Sequence, residues 1–264
     1  MSEGIQYTLS NAVAEITLDR PDRLNSFNDA MHAAFRNALS QARDDHECRA
    51  VLITGNGRGF CAGQDLDDRD PAKMDSPPDL SQTIADFYNP LIRLIRSIDK
   101  PVVCAVNGVA AGAGANLALA CDIVLACESA KFIQSFAKVG LIPDAGGSWS
   151  LPRLIGEARA KAIALTAQPV SAAQAEQWGM IWKVCTDDTL MDEARKLTAQ
   201  LAAGPTFGLG MIKQAIQAAA GNTLDQHLDL EAEYQGRCGR SPDYAEGVSA
   251  FLNKRNANFK GTES

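Results

Sequence analysis

Apolar residues alternate with polar ones over Ile5–Leu9 and again over Val13–Leu18, with Ser10–Ala12 between them. A period of two belongs to half-buried strands, so the chain is predicted to open with a hairpin. A charged segment broken by Pro21 follows, after which Met31, Phe35, Ala38, Leu39 and Ala42 recur at helical spacing. They predict a core-facing helix to about Asp44, with Ser26 and Asp29 as its capping box. Ala50–Thr54 is short, apolar and stopped by Gly55, as a buried strand would be. Residues 67–82 are polar and proline-bearing and read as a mobile loop or lid. An amphipathic helix is expected over Ile84–Ser97, where Pro90 imposes a kink or a late start.

A buried strand is predicted at Val102–Val106, a Gly/Ala turn at Asn107–Gly114, a short apolar helix at Ala115–Ala120 and a further strand at Ile123–Ala126. Helices are expected at Leu151–Ala167 and at Ser171–Trp178, the second capped by Ser171 and ended by Gly179. A last strand follows at Met180–Val184. Beyond Asp188 the pattern is helical: Thr189–Ala203, Thr206–Ala220, Thr223–Cys238 and Ser241–Arg255, the last opened by Ser241-Pro242-Asp243. Strands alternating with helices predict an α/β fold with crossover connections over residues 1–187. Residues 188–264 read as an all-helical region whose apolar stripes suit packing on a partner subunit. No internal repeat is evident.

Composition narrows the function classes. A chain of 264 residues with 46% apolar content can bury a large core in one domain. A formal charge of −7 argues against nucleic acid as a partner. No apolar run approaches the roughly 20 residues of a membrane helix. The opening MSEGIQYTLS lacks the basic-then-apolar order of a secretion signal, so a cytoplasmic protein without a membrane partner is expected. Seven scattered cysteines with no CxxC spacing predict reduced, buried thiols and neither disulfides nor a metal site.

Candidate chemistry gathers where the strand at 102–106 feeds a small-residue helix. Such a junction leaves backbone N–H groups unpaired, and with the helix dipole it favours negative charge. Asp144, in a glycine-rich turn further on, is then placed to act as a base beside an anion-stabilising pocket. Its other reading is a turn aspartate ahead of glycines. Residues 57–66 (GRGFCAGQDL) carry small residues at 61–63 that let another molecule approach the backbone, unless the segment is only a surface loop. Cys61 within it would need a base to act as a nucleophile, and none of the three histidines is near it in sequence.

Six stretches together resemble the crotonase (enoyl-CoA hydratase/isomerase) family: RPDRLNSF (20–27), VLITGNGRGFCAGQDL (51–66), KPVVCAVNGVAAGAGANLALACD (100–122), SAKFIQSFAKVGLIPDAGGSWSLPRLIG (129–156), SAAQAEQWGMIWKV (171–184) and EGVSAFLNKRNANF (246–259). They cover nearly the whole chain in the family's order. The resemblance implies a spiral of stacked ββα repeats with C-terminal helices that build a homotrimer or a dimer of trimers. It implies an acyl-CoA thioester as substrate and no cofactor, coenzyme A being part of the substrate. By motif position the backbone N–H groups of Gln64 and Ala113 would form an oxyanion hole. Donors aimed at a developing enolate oxygen are typically worth about 3–4 kcal/mol each. Arg23, Ala62 and Leu66 match positions lining the CoA, although Arg23 also reads as a solvated turn charge. Phe251 with Lys254 or Lys260 would complete the CoA site of an adjacent subunit.

The same resemblance sorts the reactions. Hydratases of the family carry two glutamates where this chain has Asn116 and Phe136, and neither residue transfers a proton. Asn116 is then left to hydrogen-bond the acyl group or to satisfy its own helix. Asp144 stands where isomerases of the family carry an acid, and Phe136, Leu141 and Ile142 would raise its pKa by desolvation. Stretches such as RLNSFNDAMHA (23–33), GLIPDAGG (140–147) and PTFGLGMIKQAI (205–216) resemble the family's branch in phenylacetate breakdown. That branch implies isomerisation of ring-1,2-epoxyphenylacetyl-CoA to its oxepin isomer and a shift of a 3-ene to a 2-ene. A pathway enzyme receiving the product is a further partner to consider. Alternatives are another isomerase or hydratase of the family, a hydrolytic dehalogenase, a catalytically silent CoA-ester binder, or an RNA-binding relative.

Overall fold

The computed structural model describes residues 3–70 and 79–264. β1 (Ile5–Ser10) and β2 (Val13–Leu18) pair antiparallel around Asn11 and Ala12, which lie in the left-handed region at φ 51° and 62°. Two successive left-handed residues give the turn the twist of the strands it joins. After α1 (Asp29–Asp44) the chain returns to β3 (Ala50–Gly55), parallel to β2.

From β3 onward the chain repeats one move. β3, β5 (Val102–Val106) and β7 (Ile123–Cys127) are parallel neighbours in a six-stranded sheet of order β1-β2-β3-β5-β7-β10, closed by β10 (Lys183–Cys185). Each is followed by a three-residue strand, β4 (Gly59–Cys61), β6 (Val109–Ala111) or β8 (Lys131–Ile133). These line up in a second sheet of order β4-β6-β8-β9, with β9 at Val170–Ser171. Every turn gives one strand to each sheet and advances both by one place. This is the spiral of ββα repeats that the resemblance implied.

The local structure departs from the sequence reading at several points. α1 is capped by Asn28, whose side chain accepts the Met31 N–H at 2.9 Å, and Ser26 is buried ahead of it. The reason is that the Phe27 backbone is already engaged with residues 63 and 65, so no helix can start before residue 28. Over 84–97, α2 (Leu80–Thr83) passes through a π-helical turn at Ile84–Tyr88 into α3 (Asn89–Ser97). Pro90 is the second residue of α3, directly after the π-helical turn, and the helical run passes through it. α4 (Ala113–Ala120) starts two residues earlier than expected. The single helix expected over 151–167 is two, α5 (Gly147–Ile155) and α6 (Glu157–Thr166), parted by Gly156 at φ 79°. α7 (Ala172–Gln177) is capped by Ser171, and β10 begins only at Lys183 because Met180 and Ile181 turn into the core.

Four helices complete the chain: α8 (Leu190–Ala202), α9 (Thr206–Ala218), α10 (Leu224–Arg240) and α11 (Pro242–Leu252). α8 lies beyond residue 187 yet packs on β3 and β5, and its Leu190 and Ala194 join the main core. α10 buries no residue, and Ile216, Leu224, Phe251 and Leu252 are exposed on this region. Of the lid expected at 67–82, residues 71–78 lie outside the described residues. Among those described, no helix is long and apolar enough to cross a membrane.

Two ties lock the segment after β4 in place. Asn25 Nδ2 donates to the carbonyls of Asn56, Gly59 and Phe60 at 2.9, 2.9 and 3.1 Å, and Arg20 pairs with Asp65 at 2.9 Å. Gly114 lets α4 lie directly on β4, since a Cβ there would stand 2.4 Å from the Cys61 carbonyl oxygen. Gly114→Ala is therefore expected to destabilise the protein by about 1–3 kcal/mol through overpacking. The check is a lower denaturation midpoint at unchanged m-value; an unmoved midpoint would mean that α4 can slide to make room.

Candidate active site

A cavity of about 340 Å³ opens between the segment after β4, the start of α4 and the turn before α5, with Gln64, Ala113, Phe136 and Asp144 in its wall. Its first feature is a pair of backbone donors. Phe27 donates its N–H to the Gly63 carbonyl at 2.7 Å and accepts the Asp65 N–H at 2.9 Å, as one parallel bridge opposite Gln64. In such a bridge the middle residue turns its own N–H and C=O to the other side, so the Gln64 N–H points away from Phe27. The Gln64 side chain is anchored as well: Nε2 donates to the Phe27 carbonyl at 2.9 Å, and Oε1 accepts the Tyr88 hydroxyl at 3.0 Å. Ala113 is the first residue of α4, where an N–H has no partner within the helix. It follows Gly112 at φ 53°, ψ −129°, a conformation that favours glycine. A Cβ built on Gly63 would stand 3.3 Å from the Ala113 nitrogen, so the two donor segments lie against each other.

The second feature is a carboxyl oxygen without a partner. The turn hydrogen bond at Asp144 is made by its carbonyl, which accepts the Gly147 N–H at 2.8 Å. Among the described residues its buried Oδ1 has no hydrogen-bond partner. A turn aspartate spends its carboxylate on the N–H groups of the residues that follow; here the carbonyl takes that bond. Burial pushes the Asp144 pKa up to about 6, opposed only by its own backbone N–H. The next residue, Ala145, is held at φ 45°, a left-handed conformation that a non-glycine residue keeps only where its surroundings enforce it.

The remaining residues singled out in the sequence divide. Ala62, Leu66 and Phe136 line the cavity. Arg23 does not; it is half-exposed and ion-paired with Asp67. Asn116 is also outside the lining: its Nδ2 donates to the Asp144 carbonyl at 2.8 Å and its Oδ1 accepts Gln134 Nε2 at 2.9 Å. Phe251, Lys254 and Lys260 lie in the C-terminal segment and take no part in this cavity. Cys61 is fully buried, and burial pushes its thiol up to about 12, so it is no nucleophile. Sequence reasoning missed Tyr88 and Gln134. Tyr88 reads as one more apolar position of an amphipathic helix, and Gln134 follows a strand too short to recognise.

The sequence profile of the enoyl-CoA hydratase/isomerase family matches residues 8–262. The 1,2-epoxyphenylacetyl-CoA isomerase of Escherichia coli K12 is 56% identical over 99% of this chain and 100% of its own. A probable enoyl-CoA hydratase of Rhodobacter capsulatus is 46% identical over 97% of this chain and 98% of its own. The crystal structure of an enoyl-CoA hydratase from Polaromonas superposes with a TM-score of 0.89 at 36% identity, covering 97% of this chain and 99% of that one. The fold and the matches agree: the chain belongs to the enoyl-CoA hydratase/isomerase family.

The raised pKa has a consequence for stability. Folding carries the Asp144 carboxyl from an ordinary 3.8 to about 6, so the folded protein holds that proton more tightly than the unfolded one. Stability present below about pH 4 is then lost as pH rises through about 6. Asp144→Asn keeps the shape without the charge. It is expected to exceed the natural protein in stability at pH 8 by on the order of 3 kcal/mol, an advantage that shrinks towards pH 4. Melting curves at the two pH values test this, and an advantage independent of pH would contradict it.

Proposed function

We propose that the protein is an acyl-CoA isomerase of phenylacetate breakdown, with Asp144 as its single base and the Gln64 and Ala113 N–H groups as its oxyanion hole. One observation carries the reading: a desolvated carboxyl whose buried Oδ1 has no hydrogen-bond partner among the described residues shares an apolar cavity with two outward-facing backbone donors. Among the described residues Asp144 is the one acid in that lining. Hydration needs one group to activate water and another to protonate carbon, and this arrangement supports a double-bond shift better.

For a 3-enoyl thioester the steps follow from these groups. Ionised Asp144 removes a C2 proton, and the electron pair moves through the thioester to give a dienolate. The Gln64 and Ala113 N–H groups hold the dienolate oxygen. Neutral Asp144 then returns the proton to C4, and the double bond comes to rest between C2 and C3 with every atom conserved. Conversion of ring-1,2-epoxyphenylacetyl-CoA to its oxepin isomer is carried over from the similarity to the E. coli isomerase.

Because the base must be ionised, kcat/KM is expected to rise with pH through about 6 and to level off above it. Asp144→Asn is expected to bind the CoA ester as the natural protein does and to abolish migration in a cis-3-enoyl-CoA followed by NMR in D2O. Turnover that survives the substitution would end the assignment of the base. The exposed apolar side chains of α9–α11 support assembly of copies through that region. A solution mass of three or six times the 28.1 kDa chain is expected by light scattering; a monomer at micromolar concentration would contradict it.

A further inference from the structure

The two ends of Asp144 are treated in opposite ways. Its carbonyl accepts two hydrogen bonds, from the Gly147 N–H and from Asn116 Nδ2, both at 2.8 Å. Its carboxyl Oδ1 is buried and accepts none from the described residues. Asn116 is 1% exposed and is held in turn by Gln134, itself 2% exposed. The contact is close enough that a Cβ on Gly147 would stand 2.2 Å from Asn116 Nδ2. Between the Asp144 carbonyl and the Gly147 N–H that it accepts, the chain runs through Ala145 at φ 45° and Gly146 at φ 79°. Consecutive left-handed residues, one of them alanine, persist only where the surroundings over-determine them.

The chemistry of the two amides suits this task. Gln134 Nε2 donates to Asn116 Oδ1 and thereby fixes which way the Asn116 amide faces, leaving Nδ2 for the Asp144 carbonyl. A carboxylate at 116 would set an acceptor against that carbonyl and a negative charge beside the base. A cation there would hold the base ionised too firmly. An amide donates and accepts while leaving the local charge unchanged. Among the described residues no charged side chain contributes to the Asp144 shift, and Lys138 is the other charged residue of the cavity wall.

We propose that Asn116 and Gln134 are a positioning pair for Asp144, an amide clamp that fastens the carbonyl side of the turn so that the carboxyl stays in the cavity wall with its Oδ1 unpartnered. The inference rests on the reading of Asp144 as the base.

The test measures kcat and KM for a cis-3-enoyl-CoA between pH 5 and 9 in Asn116→Ala, Asn116→Asp, Gln134→Ala, the double alanine variant and Asp144→Asn, with a melting curve for each. Asn116→Ala is expected to lose about 10- to 100-fold in kcat with KM held within about threefold. Asn116→Asp, which keeps the shape of the side chain, is expected to move the acid limb of the profile up by about one pH unit. Gln134→Ala is expected to lose about tenfold in kcat and to add nothing to Asn116→Ala, because it acts through it. A purely structural role would lower the melting temperatures and leave the acid limb in place. An unmoved limb in Asn116→Asp, natural kcat in a folded Asn116→Ala, or losses that multiply in the double variant would each overturn the clamp. Turnover persisting in Asp144→Asn would remove the base itself. That result differs from an active Asn116→Ala beside a dead Asp144→Asn, which removes only the clamp.

Discussion

Everything at the site depends on the one residue-long bridge that Phe27 makes with Gly63 and Asp65. It welds the entry to α1, an early element, to the segment after β4. By using the polar groups on either side of Gln64 it decides the direction of the Gln64 N–H. The ties around it reinforce that geometry: Asn25 gathers three carbonyls, Arg20 holds Asp65, and the Gln64 side chain returns to the Phe27 carbonyl. None of these groups touches the reacting atoms. They fix a donor before any charge develops, which is the condition under which a hydrogen bond stabilises a transition state without reorganising.

Against this rigid donor side stands a base kept deliberately short of partners. A buried carboxyl with one oxygen unpartnered lowers stability at neutral pH, and a left-handed alanine beside it adds backbone strain. The spiral supplies the compensation. Two sheets advancing together put β5, β7 and α4 into a continuous apolar interior in which Val102–Val106 and all of α4 are buried. The site borrows its strain from a core large enough to carry it.

The sequence made the alternation of strands and helices legible, because β3, β5 and β7 are apolar runs and the helices carry clear stripes. It concealed the second sheet, since β4, β6 and β8 have three residues each and a period of two cannot be seen in three. Asp144 stood out as a lone acid among glycines. Whether its carboxylate or its carbonyl makes the turn bond is a matter of tertiary packing. The role of Asn116 was hidden for the same reason: its partners lie 18 and 28 residues away in the chain. The cap of α1 was misplaced by two residues because the competing bond, from Phe27, comes from a segment that propensity does not see.

The cysteines bear on how the protein ages. Six of the seven thiols are buried, three of them in β5, β7 and β10, so while the fold holds, dissolved oxidants reach only Cys238 with any ease. Once the chain opens, six thiols with no native pairing arrive in solvent together. Mispaired disulfides formed at that stage compete with the return of the spiral. Under air, opening of the sheets is therefore the step that exposes these thiols to loss, and a reductant in the buffer removes that competing route.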